Sequence, residues 1–214
     1  MRAISKYPEA LKFCIGWALW DASWFAFIPL FSSLFLQTTG LNFAAGIYAV
    51  FTLVGIFSGV ATSLVWGYLF PRVKLPVKTW LYVFLGIMIL CIFWGCLGMS
   101  SSTAVGLKHP AEFWVMQVLF MGAMTAMLTY NRVVWASFIP QGHESLLSGL
   151  IFMMDLVTGW VLPFLQGHIQ NKTHDLHYPM AVSLALMVFS VPFFVWVNVE
   201  KGTREAGKAI PGAG

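Results

Sequence analysis

The sequence predicts an all-α integral membrane protein of six transmembrane helices with both termini in the cytosol. Three observations carry this reading. Of the 214 residues, 59% are hydrophobic and only 9% are Asp, Glu, Lys or Arg, where a soluble domain has roughly 45 to 50% and 25%. The apolar residues fall into six runs, each at or above the roughly 20 residues that a helix needs to cross a hydrocarbon core about 30 Å thick. The basic residues crowd onto alternate connectors, the pattern left when positive charge is retained on the cytosolic side.

The first run, Leu11 to Leu36, is too long and too rich in Trp17, Trp20, Asp21 and Trp24 for a cleavable signal peptide, so it is expected to stay in the mature chain. Gln37-Thr-Thr-Gly40 ends it. The second, Phe43 to Phe70, stops at Pro71-Arg-Val-Lys-Leu-Pro76; the third, Thr79 to Met99, at the polar stretch Ser100 to Pro110. The fourth, Phe113 to Ile139, meets Pro140-Gln-Gly142, and the fifth, Leu146 to Ile169, runs to Asn171 to Pro179. Met180 to Val199 is the sixth. Each connector has the Gly, Pro and polar chemistry of a turn. Residues 1–10 form a cytosolic N-terminal segment, and 200–214, rich in Gly and small residues, read as a disordered cytosolic tail.

With both ends cytosolic, that side holds Arg2, Lys6, Lys12, Arg72, Lys74, Lys78, Lys201, Arg204 and Lys208, nine of the twelve basic residues. Lys108 and Lys172 face the other side, and Arg132 lies within a span. Topology thus accounts for the pI near 9.1, and no nucleic-acid partner is expected; the bilayer is the partner that composition implies. Asn171-Lys-Thr173 is a glycosylation sequon that this orientation places on the lumenal side, close to the membrane.

Ions inside a membrane cost roughly 2.5 to 3.5 kcal/mol each on insertion scales, so each needs a partner or a wet cavity. Three occur here: Asp21, Arg132 and Asp155. At 1.5 Å per residue they lie about 15, 10 and 14 Å from the cytosolic ends of their helices. An Arg132–Asp155 ion pair is the economical expectation, since a short turn joins their helices. The alternative is that Arg132 reaches the headgroups alone on its long stem and Asp155 is protonated or hydrogen-bonded. Asp21 has no basic residue within a turn of its own helix. Asp21, Arg132 and Asp155 are all candidates for substrate binding or coupling; for Asp21 the alternative is a protonated acid bonded to a neighbour, and for the Arg132–Asp155 pair a purely structural role. In the turn Pro140, Gly142 and Glu144, the glycine allows a tight bend and the carboxylate suits a helix start.

Gly55, Gly59, Ser63 and Gly67 recur every four residues in the second helix, and Ala18, Ala22 and Ala26 in the first. Such stripes let membrane helices approach closely and mark packing faces, or surfaces that slide. Cys14, Cys91 and Cys96 all fall in apolar runs. No HExxH pattern, phosphate loop or paired catalytic carboxylates occur, so neither an enzyme, a cofactor nor a metal is expected. His168, His174 and His177 near Asp175 form a small cluster that metal binding, pH sensing or plain loop polarity explains equally.

Arg132, Ile139-Pro140-Gln-Gly142, Glu144, Gly149, Asp155, Gly159-Trp160, Pro163 and Gly167 together resemble a region of the autophagy-related protein 22 family, vacuolar amino-acid effluxers of the major facilitator superfamily. Trp17-Ala-Leu-Trp-Asp21 is similar to that family's aromatic helix bearing an Asp, and Val199-Glu-Lys-Gly202 to its closing Val-Glu-basic-Gly. The family's Asp-Lys step is Asp155-Leu156 here, and its Gly-Pro has become Val161-Leu162-Pro163. The resemblance covers about Leu11 to Arg204 and only the C-terminal half of the family's architecture.

It implies half of a superfamily fold, two inverted three-helix repeats, working by alternating access with a second six-helix bundle, from a second copy or a separate chain. It implies a vacuolar or lysosomal membrane and neutral amino acids as cargo. In that fold the first helix of each repeat lines the cavity. Asp21 and Arg132 are the residues placed there, to hold the amino and carboxyl groups of a zwitterion, with Asp21 also able to carry a proton. The alternative is a non-transporting scaffold or the remnant of a split transporter gene.

Overall fold

The computed structural model describes residues 7–43, 46–70, 72–73, 76–100, 104–140, 142 and 144–207. They form seven helices and no strand among the described residues: α1 (Pro8–Thr39), α2 (Gly46–Leu69), α3 (Val77–Leu97), α4 (Pro110–Phe138), α5 (Glu144–Thr173), α6 (His177–Trp196) and α7 (Val199–Glu205). Six are long and apolar enough to cross a membrane. Local chemistry sets their ends. Pro8 and Pro110 open α1 and α4 in the first turn, where no N–H is missed. Gly40, at φ +66°, closes α1 in the left-handed region that glycine enters freely. Gly142, at φ +84°, makes the bend before α5, and Glu144 Oε1 accepts its N–H at 3.1 Å.

α7 departs from the sequence expectation. The tail 200–214 was expected to be disordered, yet its first part is helical and docked. Asn198 caps α7 through its side chain, which accepts the Lys201 N–H. Glu9, only 2% exposed, accepts the Asn198 N–H at 2.8 Å and pairs with Lys12 at 3.0 Å and Lys201 at 3.5 Å. Gly202 lies against Phe138 and Glu9. A glycine-rich composition argues for disorder only when nothing buries it. Here the missing side chain is what lets α7 lie across the ends of α1 and α4. Residues 208–214 lie outside the described residues, as do Arg2, Lys6, Lys74 and His143.

α1 packs against α4, α5 and α6; α4 packs against α1, α2 and α3; α3 and α6 meet each other. Exchanging α1 with α4, α2 with α5 and α3 with α6 maps these neighbours onto one another. α1–α5 becomes α4–α2, and α1–α6 becomes α4–α3. Since three connections, an odd number, lead from α1 to α4, the two three-helix units point in opposite directions, the relation of inverted repeats.

Aromatic rings fill the core. Phe27, Phe31 and Phe35 of α1 interlock with Phe51 of α2 and with Phe113 and Phe120 of α4; Phe35 stacks on Phe51 at 4.1 Å. At the other end Phe13 sits among Trp17, Trp135, Phe138 and Phe194. The α2–α4 seam is made of small residues. Gly55 and Gly59 face Gln117, Met121 and Thr125, Gly122 faces Thr62, and Ser58 donates to the Val118 carbonyl at 2.7 Å. Gly67 has nothing within 4 Å.

This contrast is testable along one stripe. A Cβ at Gly59 meets Thr125 Oγ1 at 2.5 Å, so Gly59→Leu is expected to push α2 off α4 at a cost of about 1 to 3 kcal/mol. Gly67→Leu is expected to change stability by less than about 0.5 kcal/mol. Thermal unfolding in detergent checks both.

Candidate functional site

Asp21 is buried in α1, and Trp24, three residues on, donates its indole N–H to Oδ1 at 3.0 Å. Asp155 lies across the α1–α5 seam. The two helices run parallel there, held by Cys14 Sγ against Met154 Sδ at 3.3 Å, by Gly159 beside Phe25, and by Leu162 against Ala22 and Ala26. Asp21 and Asp155 both fall between the first two of these contacts.

Beside Asp155 a cavity of about 590 Å³ opens between α1 and α5, walled by Phe25, Leu156, Gly159, Trp160, Pro163 and Phe164. Trp160 and Phe164, 77% and 83% exposed, stand on its outer side. One carboxylate in an otherwise apolar wall can orient a cation or a hydrogen-bond donor while the rings take up apolar surface.

The expected Arg132–Asp155 ion pair does not form. Arg132 is exposed on α4 and makes no ion pair among the described residues. A short turn was taken to make α4 and α5 neighbours, but α4 is already surrounded by α1, α2, α3 and α7, and α5 crosses to the far side of α1. Consecutive elements are adjacent only about two-thirds of the time. α4 instead shares a seam with α1, and Arg132 stands exposed on α4. The pairs Phe13–Trp135 and Phe27–Phe120 fix the antiparallel register, which sets Arg132 about 8 Å along the helix axis from the level of Asp21.

A sequence profile for the family described as "Vacuole effluxer Atg22 like" matches residues 1–207. The chain belongs to this family. Among curated relatives named Autophagy-related protein 22, that of Candida albicans is 33% identical over 205 residues, 96% of this chain and 41% of the relative. The Candida glabrata protein is 31% identical over 206 residues, 92% and 36%, and that of Eremothecium gossypii 28% over 198 residues, 92% and 39%. The chain thus spans about two fifths of the length of the curated relatives it matches. The vacuole effluxers are transporters, and this family member is a multi-pass protein of the vacuolar membrane, its spans in contact with lipid.

In this effluxer-family chain the motif residues of the α4–α5 turn have separate duties. Pro140 is buried where α4 ends, Gly142 bends, and Glu144 starts α5. Asn171 is exposed in the last turn of α5. His168 and His174 are exposed, and among the described residues no three metal-ligating side chains come together. Ser63 sits half-buried on α2.

Sequence reasoning missed a second set of polar groups. Gln166 of α5 donates to Ser183 Oγ at 2.8 Å, and Ser23 of α1 donates to the Ser183 carbonyl at 2.7 Å, all three buried. Asn131, fully buried on α4, has neither amide atom hydrogen-bonded among the described residues, and the same holds for the indole N–H of Trp17 and of Trp135. Single polar residues in apolar runs carry no spacing signal, so only the packing reveals them.

The separation of α4 from α5 gives a clear expectation. In a double-mutant cycle, Arg132→Gln and Asp155→Asn should have effects on stability that add within about 0.5 kcal/mol. A coupling above about 1 kcal/mol would restore the ion pair.

Proposed function

We propose that the chain forms one six-helix half of a vacuolar exporter of neutral amino acids, with both termini in the cytosol, and that it works by alternating access with a second six-helix bundle. The single observation that carries this reading is the antiparallel α1–α4 seam, which puts the first helices of the two repeats side by side with Asp21 and Arg132 on them. Asp21 holds the ammonium of the substrate and Arg132, on its long stem, its carboxylate. Asn131 and the indole N–H of Trp17 in the same seam are polar groups that a zwitterion can engage.

Two further features support it. The family's printed description is that of a vacuole effluxer. α2 and α5 are the least buried of the six spans, and they flank the α1–α4 pair, as two faces do that wait for a partner bundle. A second copy or a separate chain can supply that bundle, because halves of such transporters are related by an axis along the membrane normal.

The test is amino-acid efflux from reconstituted vesicles, with the mass of the solubilised assembly measured by light scattering alongside. Asp21→Asn and Arg132→Gln are each expected to lower the rate about tenfold or more, the scale of one hydrogen bond to a charged group. Rates that survive both substitutions would remove the zwitterion site. Assemblies near the 23.9 kDa of one chain that carry no flux would move the second bundle to a separate polypeptide.

A further inference from the structure

His177 begins α6 at the end of the bundle opposite α7. Its ring Nδ1 lies 2.7 Å from Oδ1 of Asp175, and its Nε2 lies 3.2 Å from the carbonyl oxygen of Gly106. Both neighbours are acceptors. The Asp175 oxygen already accepts the His177 backbone N–H at 2.9 Å, and a carbonyl oxygen cannot donate. A neutral imidazole has one N–H and satisfies one of these contacts; an imidazolium has two and satisfies both.

What the ring grips is a stiff turn. Gly106 and Leu107 have φ of +106° and +64°, and Glu112 Oε2 accepts their N–H groups at 3.0 and 2.7 Å as well as the Trp94 indole N–H at 2.8 Å. Gly98 packs so closely that a side chain there would strike both the His177 ring and the Gly106 carbonyl. The end of α3, the α3–α4 connection and the start of α6 therefore converge on one imidazole.

We propose that His177 takes up a proton to clasp the α5–α6 connection onto the α3–α4 connection, so that acid fastens this end of the bundle and neutral pH loosens it. The surrounding titratable groups are Asp175 and His174 beside the ring, Glu112 on α4, and Lys108 and His109 on the α3–α4 connection; Tyr178 follows on α6. Of these titratable groups only Asp175 is bonded to the ring. Lys108 Nζ is on the Ser100 carbonyl at 2.5 Å, and His174 is exposed.

The sign follows from proton counting. The closed clasp binds a proton that the open one releases, so its stability is greatest in acid and falls as pH rises. Glu112 acts in the opposite sense. Protonating it would free the Gly106 and Leu107 amides, so stronger protection in acid identifies the histidine. One consequence rests on the proposed function: there this end faces the vacuole lumen, and a fall in lumenal acidity loosens it.

The experiment is hydrogen exchange by mass spectrometry on the whole chain in lipid nanodiscs at about pH 5 and about pH 8, corrected for intrinsic exchange rates. Amides of the Gly106–Leu107 turn and of His177 are expected to be about tenfold better protected in acid. His177→Gln should abolish the difference, and Asp175→Asn, which keeps the shape but removes the charge, should cut it to about threefold or less. Equal protection at both pH values in the unmodified chain, or a difference that persists undiminished in both variants, would overturn the clasp. No flux is measured, so failure of the transport reading leaves this result intact.

Discussion

Lipid offers helices no hydrophobic reason to associate, because apolar surface is as well solvated by acyl chains as by other helices; shape and a few hydrogen bonds must do the work. α1 is where that constraint is met. It touches α4, α5, α6 and α7, and it does so with interlocked rings, each ring a large rigid surface that orders with little loss of freedom. Phe13, Phe27, Phe31 and Phe35 occupy successive levels of one face and meet partners on other helices at each. Without that column, the α1–α4 seam would have no register, and neither Asp21 nor Arg132 a defined height.

The charged groups that form ion pairs sit at the ends of this column. At one end Glu9 gathers Lys12, Lys201 and the N-terminus of α7; at the other, Asp175, His177 and Glu112 lock two connections. Burying a carboxylate costs most where water is farthest away, and Glu9 and Glu112 are each supplied with two or three donors. The carboxylate in the middle, Asp21, has a single indole donor. It has fewer donors than the carboxylates that hold the ends of the bundle together, and it is the group on which the proposed site rests.

How much of this was legible follows from what each signal depends on. Six spans were readable because hydrophobic length alone sets them. The stripe at Gly55 and Gly59 was readable because helical spacing places small residues on one face, although Gly67 on the same stripe touches nothing. Arg132 and Asp155 were wrongly paired because depth along a helix can be counted from the sequence and the choice of neighbour cannot. α7 was missed since composition describes what a segment tends to do alone, while Gly202 is needed for contact with Phe138. His177 was legible only as one of three histidines near Asp175, a cluster that metal binding, pH sensing or loop polarity explained equally. Only the backbone of the Gly106 turn sets it apart, by placing an acceptor opposite each ring nitrogen.

The two repeats share a plan but differ in how one seam is packed. α2 meets α4 as α5 meets α1. On the α2 side, backbone lies close to backbone through Gly55, Gly59 and Gly122, with Gln117 and Ser58 hydrogen-bonding to carbonyls across the seam. On the α5 side the described contacts include a thiol against a thioether, Gly159 beside Phe25, a leucine against two alanines and one glutamine bonded to α6, and beside them lies the cavity of about 590 Å³. Close-packed surfaces resist displacement because every shift loses many dispersion contacts at once, whereas walls of an open cavity lose few. The close packing of α2 on α4 therefore resists displacement more than the walls of the cavity between α5 and α1 do. Asp155 rides on α5. Any tilt that opens or closes the cavity changes the spacing between Asp155 and Asp21, so the two carboxyl groups at the centre of the bundle are tied to the seam that holds the cavity.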